Sequence, residues 1–568
     1  VKKYWWQNTI IYQIYLRSFQ DSNGDGIGDI NGVIQRLDYL KDLGVETLWI
    51  SPHYDSPMDD NGYDVRNFFE VSPDYGTIDD FKRLIDEAHL KDMKIMTDLV
   101  LNHTSDEHPW FQAAKNPNHP EHDKYRDYYI WHKPKLNENG KKTYPTRWIS
   151  WFGGPAWTYN DATDDYYLHI FSRKMPDLNW RNPSMKKEMK QMIQWWIDLG
   201  VDGFRVDASN HLEKNWDFPD AYPGYEHFSS LPKHHEYLEE LGKELFIPNH
   251  LLTIGESGGA RKEEALQYAG FNSQEFNLLI QFGHCWADTD PSNAITTGKW
   301  AKGELNLVQV KESFAHWFEV FKGEGWNTIY WHNHDQPRIV SHYGNDKTYH
   351  ERSAKMLAMT LYMMPGTPII YYGEEIGMTN VDYQNLDDFR DVEVFTEYDN
   401  FISRGATHDV AMQALRDRSR DNARSPMQWN HKQYAGFSTF NPWMNVNGNY
   451  RRINVEDEMK QPSSIFNTYK TLIEMRKKKG LAFGDIEFID LKNQDIFAYK
   501  TNIKNITYLV IGHFKNKETP LSFDIPKQAK LMMSNINQSK INQTILQPYE
   551  GRIYQMAQTV SDKLKLSQ

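Results

Sequence analysis

Cysteine is almost absent. A single one, Cys285, occurs in 568 residues, so no intrachain disulfide can form and nothing demands an oxidising compartment. Positive charge is also in deficit. Lys and Arg number 64 against 77 Asp and Glu, a net charge of −13, and the basic footprint that nucleic-acid binding needs is missing. No apolar run approaches the ~20 residues that cross a bilayer. Residues 1–7 are polar and aromatic and lack the apolar core of a signal peptide. Internal repeats and low-complexity segments are lacking too. A cytosolic protein without nucleic-acid or membrane partners is expected, as a monomer or homodimer.

Aromatic side chains are plentiful, with 19 Trp and 33 Tyr. They either fill a large core or offer flat surfaces on which the C–H faces of a sugar pack. The chain is too long for one compact core, which predicts two or three domains.

Eight β-rich runs are expected, at 10–19, 46–51, 95–100, 203–207, 251–256, 276–282, 327–335 and 368–374. Several are apolar at consecutive positions, as strands buried on both faces are. Amphipathic helical patterns separate them, at 30–43, 78–90 and 183–199 among others. Eight β-then-α units predict an α/β fold, a (β/α)8 TIM barrel. Two stretches break the alternation. Residues 104–174 are too long for a βα loop and read as an inserted domain. Residues 379–457 read as an irregular, loop-rich subdomain. Beyond a helix at 463–479, short β-runs at 486–500, 506–514 and 530–533 predict a C-terminal antiparallel β-sandwich over 481–568. The barrel itself is expected to comprise 1–103 and 175–480.

Barrel chemistry sits at the C-terminal ends of strands. Here those ends carry Asp98 through His103, Arg205-Val206-Asp207, Gly255-Glu256 and His332-Asn333-His334-Asp335. Glycoside cleavage with retention needs two carboxyl groups in different protonation states, one attacking the anomeric carbon and one protonating the leaving oxygen. Arg205 lies two residues before Asp207, on the same side of the strand, and is expected to hold it ionised as the nucleophile. Glu256 has no cation near it in sequence, so a raised pKa and the role of proton donor are expected. Asp335 is the third carboxylate, favouring the oxocarbenium-like state. Asp64 is read as a loop anchor, Glu374, Glu375, His284 and His316 as structural, and the acidic run 387–397 as a solvated face.

These segments resemble glycoside hydrolase family 13, the α-amylase family, over essentially the whole chain. Asp98-Leu99-Val100-Leu101-Asn102-His103, Gly203-Phe204-Arg205-Val206-Asp207, Ile254-Gly255-Glu256 and His332-Asn333-His334-Asp335 are similar to its four signature segments. Met175-Pro176-Asp177-Leu178-Asn179 resembles the segment of the oligo-1,6-glucosidase and neopullulanase subgroups, and residues 420–429 resemble a stretch of the former. The resemblance implies that Asp60, Tyr63, His103, Arg205 and His334 bind the nonreducing glucose, with Tyr63 as stacking platform and with Arg420 or Arg424 assisting. It implies a small oligosaccharide substrate and a retaining, exo-acting α-glucosidase.

Asp21, Asn23, Asp25, Ile27 and Asp29 alternate oxygen donors as an EF-hand loop begins. Gly32 stands where that loop needs its bidentate Glu, so it is not an EF-hand. The resembled subgroup binds calcium, sometimes magnesium, in this loop, and a structural Ca2+ is expected, with none needed for catalysis. Val after the nucleophile resembles the α-1,6-preferring enzymes, whereas this chain has Ala208, which leaves room beside the leaving sugar and predicts an α-1,4 preference. The rival expectations are an oligo-1,6-glucosidase and a sucrose- or trehalose-type glucosidase or glucosyltransferase, with transglucosylation as a side activity of any retaining enzyme. The sucrose isomerases of the family carry an Arg-Leu-Asp-Arg-Asp-type loop that is not found here. Catalytically dead barrel subunits lack the carboxylates and carry a membrane span, unlike this chain.

Overall fold

The structure, a computed structural model, describes residues 3–258 and 260–558. Residues 559–568, the end of the expected C-terminal domain, lie outside the described residues. Eight parallel strands form the central sheet: β1 (Ile11–Ile14), β2 (Thr47–Ile50), β3 (Lys94–Val100), β4 (Gly203–Asp207), β5 (Leu252–Glu256), β6 (Leu278–Ile280), β7 (Thr328–Ile329) and β8 (Thr367–Tyr371). Their order is β6-β5-β4-β3-β2-β1-β8-β7. The Thr328 hydroxyl donates to the Leu279 carbonyl and so ties β7 to β6, nearly closing the barrel. Each strand falls inside or within one residue of an expected run. Four runs were too long. In the first, the strand stops at Ile14 and a 3-10 turn, Leu16–Ser18, follows. The 327–335 run keeps only two strand residues, because the backbone beyond Ile329 turns to bring His334 and Asp335 into the mouth.

Local signals act as read for the helices Ile78–Leu90 and Pro183–Leu199. Thr77 caps the first in a capping box with Asp80. Asn182 caps the second, Pro183 opens it, and Gly200 ends it at φ +108°. The expected helix at 30–43 is broken at Arg36, whose guanidinium turns back onto Gln20 Oε1.

The insertion after β3 holds a three-stranded antiparallel sheet, Trp131–His132, Asp165–Leu168 and Trp157–Asn160 in that order. Trp148, Trp157, Leu168 and Phe228 form its own core. The stretch after β8 is not irregular throughout. It contains helices Val392–Ser403 and His408–Arg418, packed through Phe401, Met412 and Leu415 onto Trp300 and Tyr383. Their apolar face is interrupted by acidic residues, which hid the period. The C-terminal domain is a five-stranded antiparallel sheet, with the run at 486–500 split into Asp485–Ile489 and Ile496–Ile503. One face lies on the helix His350–Tyr362, so closely that a Cβ at Gly512 would stand 2.2 Å from Thr360 Oγ1. A two-stranded ribbon, Thr519–Pro520 with Ile545–Leu546, packs through Leu546 on the other face. Among the described residues, no helix is long and apolar enough to cross a membrane.

Candidate active site

A cavity of about 1250 Å3 opens at the C-terminal ends of the strands and is lined by Asp60, Tyr63, His103, Asp207, Ala208, Glu256, His334, Asp335 and Arg420. The structure thus gathers residues from five strand ends and from the segment after β8. Arg205 and Arg424 lie under this surface, 0% and 1% exposed.

Arg205 organises the floor. Its Nη1 contacts Asp98 Oδ1 at 2.6 Å and Asp207 Oδ1 at 2.7 Å, and its Nη2 contacts Glu256 Oε2 at 2.6 Å. Trp49 Nε1 donates to the other Asp98 oxygen at 2.7 Å. The Ala208 amide donates to Glu256 Oε2 at 3.0 Å, with Ala208 in the left-handed region at φ +47°. The expected contrast between a paired Asp207 and an unpaired Glu256 is therefore corrected: one guanidinium holds both, because β4 and β5 are neighbours in register. Their protonation is separated differently. Burial pushes both up, and Arg205 pulls both down. For Glu256 the charges of Asp207 and Asp335 add to burial and carry it to about 8. Asp207 rises to about 6, with Asp98 and Asp335 raising it and a hydrogen bond from Glu256 lowering it. At neutral pH the pair is one ionised and one protonated carboxyl, the division that double displacement uses.

Asp335 is held the other way. Burial alone would raise it, but cationic neighbours hold it well below the usual carboxylate range. Burial lowers His334 to about 3, so at neutral pH the charges that act on Asp335 are those of Arg420, Arg424 and Arg205. Arg420 Nη1 and Arg424 Nη2 each lie 3.3 Å from Asp335 Oδ1. His334 is fixed from both sides, by Gln13 Nε2 at 2.8 Å on Nδ1 and by Tyr63 Oη at 2.9 Å on Nε2. The Tyr63 and His334 rings stack with centroids 5.4 Å apart. His103 Nε2 lies 3.1 Å from the Tyr63 carbonyl, and burial lowers His103 to about 4. Asp60 meets Arg420 Nη2 at 3.1 Å, and burial raises it to about 7 against the pull of Arg420.

Between the two arginines that sequence left open, Arg420 faces the cavity and Arg424 stands behind Asp335. The reading of 387–397 as a solvated face is corrected. Asp391 is fully buried and grips Arg420 Nε and Nη2 at 2.8 and 2.7 Å, and Glu393 is 6% exposed and meets Arg420 Nε at 3.6 Å. A one-dimensional charge run carries no signal of which residues a helix turns inward. Asp98 belongs to a strand-end segment by sequence, but its contact with Arg205 comes only from strand register. Asp64 accepts the Asp59 and Asp60 amides at 2.8 and 3.0 Å, which shapes the loop that presents Asp60. Glu375 accepts from Tyr12 and Tyr39, and Glu374 from Tyr362, all of them buried.

In the 21–29 loop, Asp21 accepts the Asn23, Gly24 and Gly26 amides, Asn23 accepts that of Asp25, and Asp25 that of Ile27. Asp29 accepts the Ser22 and Gly32 amides and caps the helix that follows. Among the described residues, no group of three or more His, Cys, Asp and Glu side chains is arranged to hold a metal ion. The loop's donors are a mixture of carboxylate, amide and carbonyl oxygens.

Known proteins bear the same stamp. The family described as alpha amylase, catalytic domain, matches residues 13–484. An oligo-1,6-glucosidase of Halalkalibacterium halodurans is 43% identical, over 97% of this chain and 98% of that protein. A trehalose-6-phosphate hydrolase of Bacillus subtilis is 40% identical, over 97% and 98%. Among solved structures, the trehalose-6-phosphate hydrolase of Bacillus licheniformis superposes with a TM-score of 0.89 at 38% identity, covering 98% of this chain and 100% of that one. The isomaltulose synthase SmuA of Protaminobacter rubrum does so with a TM-score of 0.91 at 35% identity and the same coverage. With this similarity along its whole length, the chain belongs to the α-amylase catalytic-domain family and is a glycoside hydrolase that acts on α-glucosides.

Proposed function

We propose that the enzyme is a retaining, exo-acting α-glucosidase that releases glucose from the nonreducing end of short α-glucosides, prefers α-1,4 links, and transfers glucosyl groups as a side reaction. The observation that carries this reading is the pair Asp207 and Glu256 on the two amino groups of one buried guanidinium. A pair held so close suits nucleophile and acid, which stand about 5–5.5 Å apart in retaining enzymes, and not the wider gap that admits a water. In this reading Asp207 attacks the anomeric carbon while Glu256 protonates the departing oxygen. Glu256 then deprotonates water, or a sugar hydroxyl in transfer, which attacks the glucosyl–Asp207 ester. Asp335, kept ionised, favours the positive charge that develops on the ring. Asp60, His103, His334 and Arg420 hold the hydroxyls of the nonreducing glucose, Tyr63 packs on its face, and Arg205 and Arg424 keep the carboxylates in place from below.

The α-1,4 preference rests on Ala208, which lines the cavity beside Glu256. A valine there would add two methyl groups, and a β-branched residue at φ +47° would be strained. The second reading is an α-1,6 preference, which the oligo-1,6-glucosidases among the similar proteins favour. A phosphorylated disaccharide is disfavoured by the outer wall, where Glu226, Glu393 and Glu397 stand with Lys299 and Arg404, and Lys299 is already paired with Glu393 at 2.6 Å. Rates on maltose, isomaltose, trehalose, sucrose and trehalose 6-phosphate separate these cases. Maltose is expected to be turned over fastest, and isomaltose at an equal or greater rate overturns the linkage preference. Asp207→Ala is expected to abolish turnover of all of them without loss of fold.

The 21–29 loop would hold a structural Ca2+ through Asp21, Asn23, Asp25, the Ile27 carbonyl and Asp29. The fit rests on the donor chemistry, since hard oxygens alternating along a tight loop suit calcium. It would supply a cross-link within the loop and take no part in catalysis.

A further inference from the structure

The region after β8 holds a second cavity, of about 600 Å3, that shares no lining residue with the catalytic one. Its size lies within the range of about 300–1000 Å3 usual for ligand clefts. Three short pieces of chain enclose it: residues 381–388, the turn at 433–434, and residues 441–450. Hydrogen bonds fix these pieces. Tyr383 Oη donates to the Asp421 carbonyl at 3.0 Å. Asn447 Nδ2 donates to the carbonyls of Thr379 and Asn380 at 3.3 and 3.1 Å. Asn445 Nδ2 meets Asp388 Oδ1 at 3.4 Å and joins the third piece to the first. The third piece also rests on the 21–29 loop, where a Cβ at Gly26 would stand 2.2 Å from the Asn441 carbonyl oxygen. A cleft preformed in this way loses little freedom when a ligand enters.

The chemistry of the wall narrows that ligand. It comprises three tyrosines, five side-chain amides, two aspartates and four small residues, with no Lys, Arg or His among the described residues. An anion would find no cation to pair with. Among the described residues, the hydroxyls of Tyr434 and Tyr450 and the side-chain amides of Gln433 and Asn441 meet no protein partner. Rings that pack on C–H faces, beside amides that both donate and accept, suit the vicinal hydroxyls of a neutral sugar chain.

The backbone gives an independent sign. Tyr434, Ala435 and Gly436 are consecutive residues in the left-handed region, at φ +54°, +59° and +71°. Ala435 is fully buried, and its carbonyl accepts the Trp429 and Asn430 amides at 2.8 and 3.0 Å, which accounts for its own conformation. Tyr434 returns only one such bond, from the Phe437 amide to its carbonyl at 3.0 Å, and its half-buried side chain adds none. Glycine or asparagine would adopt that backbone at less cost, so the ring must contribute something that offsets the strain. Strain of this kind gathers at ligand clamps.

We propose that this cleft is a second carbohydrate site, which holds a stretch of α-glucan on Tyr434 and Tyr450 away from the reacting bond. It depends on the α-glucoside class of ligand, and not on the linkage or the exo-acting reading given above.

The test is a calorimetric titration with maltotetraose or isomaltotetraose of Asp207→Ala protein, which does not turn the ligand over. The same titration is run on this protein carrying Tyr434→Asn or Gln433→Ala as well. Two sites per chain are expected. Tyr434→Asn is expected to weaken one of them roughly two- to tenfold, the worth of a ring, with Tm equal to or above that of its parent because asparagine tolerates the left-handed backbone. Gln433→Ala, at an exposed position outside the strained run, is expected to weaken the same site about threefold. A single site per chain overturns the proposal, as do two sites that neither substitution weakens. A Tyr434→Asn protein that melts several degrees lower and keeps both sites gives the ring a purely structural role and overturns it too. A cleft that takes spermidine and no oligosaccharide would be a cation site, which is equally fatal. Failure of the exo-glucosidase reading shows in the substrate rates and leaves the count of sites as it is.

Discussion

Replacing Glu256 with glutamine tests the electrostatics of the site most directly. The wild-type acid stands at about 8 and the nucleophile at about 6. The productive state, Asp207 ionised and Glu256 protonated, is then most populated near pH 7 and falls about tenfold by pH 5 and by pH 9, because each limb has unit slope. The two limbs belong to the interacting pair. At pH 6 Glu256 is already neutral, so a neutral glutamine leaves the field on Asp207 almost as it was. The acid limb is expected to stay near 6 and the basic limb to vanish, with kcat/KM on maltose lower by about 10²–10⁴. A glucoside whose leaving group needs no proton is expected to lose far less. The same substitution has a signed effect on stability. A carboxyl whose folded pKa lies above its unfolded value supports the fold fully at low pH and loses that support as pH rises through the folded pKa. From the usual 4.5 to about 8 the difference corresponds to roughly 5 kcal/mol at 1.36 kcal/mol per unit. The side chain is 18% exposed to the cavity, which trims the figure to about 3 kcal/mol. Glutamine does not ionise, so Glu256→Gln is expected to melt at nearly the wild-type temperature at pH 5 and increasingly above it toward pH 9. The assays are a pH series of kcat/KM and of calorimetric Tm. A basic limb that survives in the variant, or a variant that melts no higher than the wild type at pH 9, refutes this account of Glu256.

Asp391→Asn removes the charge that grips Arg420 while keeping its shape, and is expected to raise KM for disaccharides tenfold or more. A variant with unchanged KM would show that Arg420 is positioned without Asp391. Chelation with EDTA is expected to lower Tm by several degrees and to leave the initial rate at 25 °C unchanged. Loss of rate without loss of Tm would place the metal in catalysis instead. Arg476 is 1% exposed and donates to the carbonyls of Tyr362, Met364 and Gly366 at 2.6, 2.5 and 2.7 Å. Arg476→Met is expected to destabilise the protein by about 3 kcal/mol or more, since three buried acceptors lose their donor. An unchanged denaturation midpoint contradicts that.

The order of elements was legible because buried strands and amphipathic helices write their period along the chain. The β3, β4 and β5 runs and the helices Ile78–Leu90 and Pro183–Leu199 lie where hydrophobic spacing and capping residues put them. The helices after β8 were not legible, since charged residues interrupt their apolar faces and their partners, Trp300 and Tyr383, come from elsewhere. Asp391 illustrates the limit within the site. It sits in an acidic run that reads as solvated, and only packing against Arg420 from the next helix-turn segment gives it a function.

By itself the sequence determined the kinds of groups available and their strand-end positions: Asp207, Glu256 and Asp335 at barrel mouths, with Arg205 two residues before the first. Those follow from local periodicity, which depends on neighbours along the chain. Tertiary structure alone decided how the groups divide their protons. That division depends on burial and on charges a few ångströms away: those of β3, β4 and β5, brought to one guanidinium by strand register, and those of Asp335 and the arginines after β8, placed by packing at the barrel mouth. Distances of that kind are not encoded in the spacing of residues.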